Sequence, residues 1–194
     1  MNLEINDSLI PGTKLKKNDM GNVTGLEFLS KVFYISEGVM LSQIREVSGI
    51  DGSTLQNWTK RGWVANARLK KYKIDQVAHI LIINMLRSCI QLDHIAFLLQ
   101  YINGKIDDKS DDIIRDSVLY DYICRILETL PRKDVATKAS ITEVIRDQIS
   151  DYKEAMAGAR DRLANALEII VTAYYAALIK RSSDEMLANL MSSY

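Results

Sequence analysis

"STLQNWTKRGWVANARLKKYKID", Ser53 to Asp75, is the stretch on which the reading of this chain turns. A polar segment carrying Trp58 and Trp63 runs through Gly62 into four basic residues within six positions: Arg68, Lys70, Lys71 and Lys73. Just upstream, Leu41, Ile44 and Val47 recur at helical spacing, which predicts a two-turn amphipathic helix. Gly49 stands where a helix ends in a left-handed residue. Asp51 or Ser53 can cap a second short helix, Thr54 to Arg61, which Gly62 stops. Two short helices around a glycine turn make a helix-turn-helix pattern. "WVANARLKKYKI" is too irregular for a helix. Its Trp63, Val64, Leu69, Tyr72 and Ile74 predict a two-stranded wing with "ANAR" at the tip.

Charge points the same way. The 194 residues hold 25 Lys+Arg and 25 Asp+Glu, a net charge of zero. Between Met40 and Lys73 the count is uneven: Arg45, Lys60, Arg61, Arg68, Lys70, Lys71 and Lys73 stand against Glu46 and Asp51. Seven against two leaves +5 there and −5 elsewhere. A basic patch on an otherwise acidic chain is the footprint of a polyanion-binding module. A solvated charged face would give the same count.

The rest reads as helix. An irregular arm covers residues 1–25, with Lys14, Lys16 and Lys17 giving it some basic character. "LEFLSKVFY", Leu26 to Tyr34, predicts a short helix broken by "SEG". "DQVAHILIINMLRSC" and "LDHIAFLLQYING" predict an apolar helix pair. "DDKSDD" is a charged linker and the expected domain boundary. A helix from Ile113 to Leu130 ends before Pro131. Ser140 with Glu143 and Ser182 with Glu185 predict capping boxes opening two more. Met156, Leu163, Ile170 and Ala177 lie seven apart, with Ala159, Ala166 and Ala173 beside them, a seam that permits close helix approach.

Apolar content of 47% supplies a core and argues against global disorder. The 14-residue apolar run Ala166 to Ile179 includes Glu168 and is too short to span a bilayer, so no membrane partner is expected. Cys89 and Cys124 are far apart and lack a spaced partner, which reads as small core residues in a reduced, cytoplasmic setting. His79 and His94 read as structural, and "DDKSDD" lacks the glycine and glutamate of a calcium loop. No catalytic motif appears, so neither an enzyme nor a metal or other cofactor is expected.

"TLQNWTKRGWV", "KKYKIDQVAHILIINMLR" and "IQLDHIAFLLQYING" resemble the DNA-binding region of MerR-like transcription regulators. Within these they are similar to the YkrK-like group of bacterial proteins, long catalogued as a domain of unknown function. The match covers about Leu26 to Tyr120. It differs from typical MerR-like members in having Trp58 in the recognition helix, "ANAR" in place of a glycine-rich wing tip, and an arm and helix before the helix-turn-helix.

The resemblance implies a mainly all-α chain: an arm over 1–25, a winged helix-turn-helix domain over 26–106, and a helical lobe over 107–194 for dimerisation or an effector. It implies a homodimer on duplex DNA, and two-fold symmetry then implies a palindromic operator. Ser53, Thr54, Gln56 and Asn57 would meet base edges, since Gln and Asn can pair with adenine. Ser53 and Thr54 would otherwise only cap the helix. Lys60, Arg61 and Arg45 would meet phosphates. Arg68, Lys70, Lys71 and Lys73 belong to the wing, and Tyr72 is a core or hinge residue with a hydroxyl that can reach phosphate. Duplex DNA hides base faces, so Trp58 and Trp63 are expected to pack the reading elements onto the body. Tyr174 and Tyr175 mark a helical core or dimer seam, or, on a sharper reading, the wall of an apolar ligand site. The rival reading is a helical protein-interaction module whose winged helix no longer binds DNA.

Overall fold

The computed structural model describes residues 8–33, 37–106, 108, 110–130 and 137–194. A 3-10 turn at Asn18–Met20 leads into α1 (Gly25–Val32), β1 (Val39–Met40), α2 (Leu41–Ser48) and α3 (Gly52–Lys60). Then come β2 (Lys71–Tyr72), α4 (Ile74–Leu86), α5 (Leu92–Asn103), α6 (Asp116–Thr129), α7 (Lys138–Gln148) and α8 (Ala159–Ser193). The chain is mainly helical, with one two-stranded antiparallel sheet among the described residues. Tyr34, Ser36, Asp107, Lys109 and Pro131, each part of an expected helix end or linker, lie outside the described residues.

α4 is the centre. Eight of its thirteen residues are buried, from Val77 to Leu86. A helix apolar all round needs neighbours on every side, and α2, α5, α6 and α8 supply them. α6 packs on both α1 and α4, so the core is continuous across the boundary expected near residue 107. α6 starts at Asp116 rather than Ile113. Its entry is fastened to α4 by Asp75 Oδ1, which accepts from the Ser117 amide at 3.1 Å and the Ser117 hydroxyl at 2.5 Å. Thr137, not Ser140, caps α7, its Oγ1 accepting the Ser140 amide at 3.2 Å.

The arm is more ordered than its composition suggests. Residues 1–7 lie outside the described residues, but a tight loop follows, with Leu9 bridged to Lys16 and Ile10 fully buried. The Pro11 carbonyl accepts from the buried Tyr120 hydroxyl at 2.7 Å. The Gly12 carbonyl accepts from Asn84 Nδ2 at 2.8 Å. Irregular backbone can be buried only when its polar groups find partners, and α4 and α6 provide them.

α8 runs unbroken for 35 residues, so Ser182 and Glu185 lie inside a helix and open none. The heptad seam begins later than expected, because Tyr152 and Met156 precede the helix. Its members Leu163, Ala166 and Ile170 are buried within the chain's own core. The helix expected over Ile113 to Leu130 is likewise mostly buried within the chain as α6, with Glu128 and Thr129 exposed at its end. The 14-residue apolar run continues into this longer helix, which by length and composition alone could cross a bilayer. Of that apolar window 44% is buried against protein, within the chain's own core.

Candidate nucleic-acid interface

α2 and α3 are joined by a three-residue turn, Gly49 to Asp51. Ile44 on α2 is buried, and Gln43 Oε1 accepts the Met40 amide at 2.8 Å at the helix start. Gly49 takes φ +72°, which a side chain resists. The Ser48 hydroxyl donates to the Ile44 carbonyl and accepts the Ile50 amide. The Ser48 carbonyl is held by Asn84 Nδ2 at 3.0 Å. One asparagine on α4 thus fastens both the arm and this turn.

Asp51 is the cap of α3. Its carboxylate accepts the Thr54 amide at 2.8 Å, the Ser53 hydroxyl at 2.5 Å and the Thr54 hydroxyl at 2.7 Å. The Ser53 and Thr54 hydroxyls, then the Thr54 amide, hold its pKa well below the usual carboxylate range. A depressed folded-state value means the cap stabilises above the ordinary carboxylate range and is lost as pH falls through the lowered value. The two hydroxyls expected at base edges are therefore already engaged at the helix start.

Leu55 and Trp58 turn inward, with Trp58 only 1% exposed, and Arg87 lies over its ring at 5.8 Å. The outer face carries Ser53, Gln56, Asn57 and Lys60, all exposed and spaced i, i+3, i+4, i+7. That spacing places them on one stripe. Thr54 sits half-buried at its edge. Arg61 is exposed beyond the last turn, with its guanidinium 5.0 Å from the Trp63 ring centre. Arg45 is exposed, and a side chain at Gly52 would touch its Cδ at 3.7 Å, so it flanks the start of α3.

The sheet departs from the expected wing. β2 does not pair within Trp63 to Ile74; it pairs with β1, in the register Val39 with Tyr72 and Met40 with Lys71. The "ANAR" segment is not a tip, because the Ala65 and Asn66 carbonyls accept from Gln76 Nε2 at 3.1 and 3.0 Å. The tip is the pair Leu69–Lys70. Arg68 and Lys71 exchange both backbone hydrogen bonds, at 3.0 and 2.9 Å. Lys71 and Lys73 face outward while Tyr72 between them faces inward, the alternation of a strand. Lys70 stands in the turn and is exposed, not on the Tyr72 side as strand alternation would have it. Tyr72 is 8% exposed, with its hydroxyl beside Thr59, and burial raises its pKa above the ordinary phenol value. Its ring belongs to the core. Arg68 is exposed. Among the described residues none of the seven basic side chains of this region forms an ion pair.

Beside this surface lies a cleft of about 680 Å³, lined in part by Arg61, Trp63, His79, Phe97, Asn103 and Asp116. A hydrogen-bonded set forms its floor. His79 Nε2 faces the Trp63 carbonyl at 2.9 Å, and Nδ1 faces Asp116 Oδ2 at 3.2 Å. Asn103 Nδ2 donates to Asp116 Oδ1 at 3.2 Å, and Asn103 Oδ1 accepts the Ile114 amide. Neither His79 nor Asn103 carries a sequence signal for this role. Both sit inside apolar helices and find their partner only when α6 docks. Cys124 is buried, which pushes its thiol up to about 12, whereas Cys89 is exposed and is not the core residue expected.

A family model described as a domain of unknown function, DUF1836, matches residues 19–123. This span runs from the turn before α1 into the middle of α6. An uncharacterized protein of Bacillus subtilis (strain 168), YkrK, is 30% identical over 118 residues, 58% of this chain and 51% of the relative. The chain thus spans about half the length of that relative. No solved structure matches.

Proposed function

The chain belongs to the DUF1836 family, and from that premise we propose that it is a sequence-specific regulator of transcription that binds double-stranded DNA. In this reading α2 and α3 form the helix-turn-helix and the β1–β2 sheet with its Leu69–Lys70 turn forms the wing, an arrangement akin to MerR-like regulators. The observation that carries it is α3. Its inner face is core, and its outer stripe of Ser53, Gln56, Asn57 and Lys60 is polar and solvent-facing. Exposed cations flank both ends, Arg45 at the start and Arg61 at the end. Polar side chains near a helix start read base edges, and flanking cations meet phosphates. It is a binding role and not an enzymatic one, in the cytoplasm.

Fluorescence anisotropy on duplexes selected from a random library by the full chain tests this. Lys60→Glu with Lys71→Glu is expected to weaken binding about thirty-fold or more and to flatten the salt slope by roughly two. Gln56→Ala is expected to cost roughly 1–3 kcal/mol of discrimination at one base pair with little change in salt slope. Unchanged affinity and slope in the charge variant would sink the reading. A wild-type chain that binds no duplex but captures a protein would favour the interaction module instead.

The homodimer needs a free apolar face. The last third of α8 offers one: Met186, Leu187, Leu190 and Met191 are between 50% and 72% exposed and share a side of the helix. A two-fold contact uses the same patch twice. Sedimentation equilibrium is expected to give a dimer that Leu187→Glu with Leu190→Glu converts to a monomer. A monomeric wild-type chain would overturn this part. For a small effector the reading offers one place, the cleft beside Trp63, whose floor joins the end of α3 to α6.

A further inference from the structure

Leu69 is 96% exposed at the tip of a two-residue turn. Leu69 takes φ +50° and Lys70 takes φ +63°. Two consecutive left-handed residues closing a hairpin define a type I′ turn, where Asn-Gly is strongly preferred. A leucine there strains the backbone and gains no packing in return. Strain kept without a folding benefit points to function.

The surroundings say what kind. Arg68, Lys70 and Lys71 are exposed beside the leucine. The turn is not a loose loop. Lys71 and Tyr72 are paired to β1, and Tyr72 is buried beside Thr59 of α3. A rigid mount therefore projects one apolar side chain ringed by cations from the same part of the molecule as α3.

We infer that Leu69 is a wedge that enters the minor groove of duplex DNA and partly unstacks one base step, with Arg68, Lys70 and Lys71 holding the adjoining phosphates. This rests on the DNA-binding reading above and adds a bend to it. Apolar wedges of this size kink duplexes when inserted at the minor groove. The yielding steps are pyrimidine–purine ones, so the wedge supplies sequence preference at a position without hydrogen-bond readout. The alternative occupant, an anionic membrane, is disfavoured by shape. Surface-lying anchors bury a whole amphipathic face, and here there is one side chain at a point.

The test is Leu69→Asn in the full chain. Asparagine suits the turn, so the urea midpoint is expected to rise while DNA binding falls, and a purely structural role cannot move the two in opposite directions. Binding to a duplex selected by the wild-type chain is expected to weaken about ten- to one-hundred-fold, as for unburying one leucine. The salt slope should hold, because no cation is removed, and end-to-end energy transfer on the labelled duplex should report a straighter DNA. If wild type binds with a salt-dependent affinity and Leu69→Asn changes neither affinity nor bend, the wedge is wrong and the DNA reading stands. If wild type binds no duplex, both fall. If Leu69→Asn instead abolishes binding to phosphatidylserine vesicles and spares the duplex, the wedge is overturned in favour of a membrane contact.

Discussion

Replacing Gly12 with alanine is expected to cost the fold about 3–5 kcal/mol, from overpacking and a left-handed backbone together. Gly12 has φ +75°, and a Cβ there would lie 2.2 Å from the Leu81 carbonyl oxygen and 2.8 Å from its carbon. Those atoms are backbone in the middle of α4, buried on every side, and cannot step back. The clash would also push the Gly12 carbonyl off Asn84 Nδ2, which holds the α2–α3 turn as well. Gly49→Ala is the control. It shares a positive φ, but a Cβ there meets only the Lys14 side chain at 3.7 Å and beyond, so a loss of about 1–2 kcal/mol is expected. Urea unfolding of both variants measures the difference. Equal midpoints would show that the arm is not held in the way described.

Asp116→Ala is expected to be the next most damaging change, at about 2–4 kcal/mol. The carboxylate is the shared partner of His79 Nδ1 and Asn103 Nδ2. Without it both polar groups lie at or beneath the floor of the cleft with nothing to bond, and water reaches them poorly. Asp116→Asn keeps the shape and restores part of the bonding, so it should lose about half as much. Guanidinium unfolding checks the order. A loss under about 0.5 kcal/mol for the alanine variant would mean that water already satisfies the set.

What could be read from the sequence divides by distance along the chain. α2, its glycine turn and α3 were legible because cap, period and stop all lie within one short stretch, Leu41 to Gly62. Trp58 was expected to pack inward because duplex DNA hides base faces, and it lies three residues after Leu55 on the buried side of α3. The pairing of the small sheet was not legible. The partner of β2 is Val39–Met40, about thirty residues upstream, and two residues give no alternation to detect. The true tip was hidden because Leu69–Lys70 lacks the glycine or asparagine that marks such turns. The heptads of α8 were visible, but periodicity says only that a face is covered, not by which chain. Here α4, α5, α6 and α7 cover its first half, and the free apolar face lies further on, where the repeat weakens. The arm looked irregular and is irregular in backbone. Its burial depends on hydrogen bonds spanning 72 residues to Asn84 and 109 to Tyr120, which no local pattern encodes.

Those long spans also have a meaning in time. A chain is made from its N-terminus at about 5–20 residues per second. The segment holding Ile10, Pro11 and Gly12 therefore leaves the ribosome before its partner on α6, 109 residues further on, which is made about 5–20 s later. Until then a residue destined to be fully buried is left in water, and the arm must wait, unfastened, for the hydroxyl that closes it.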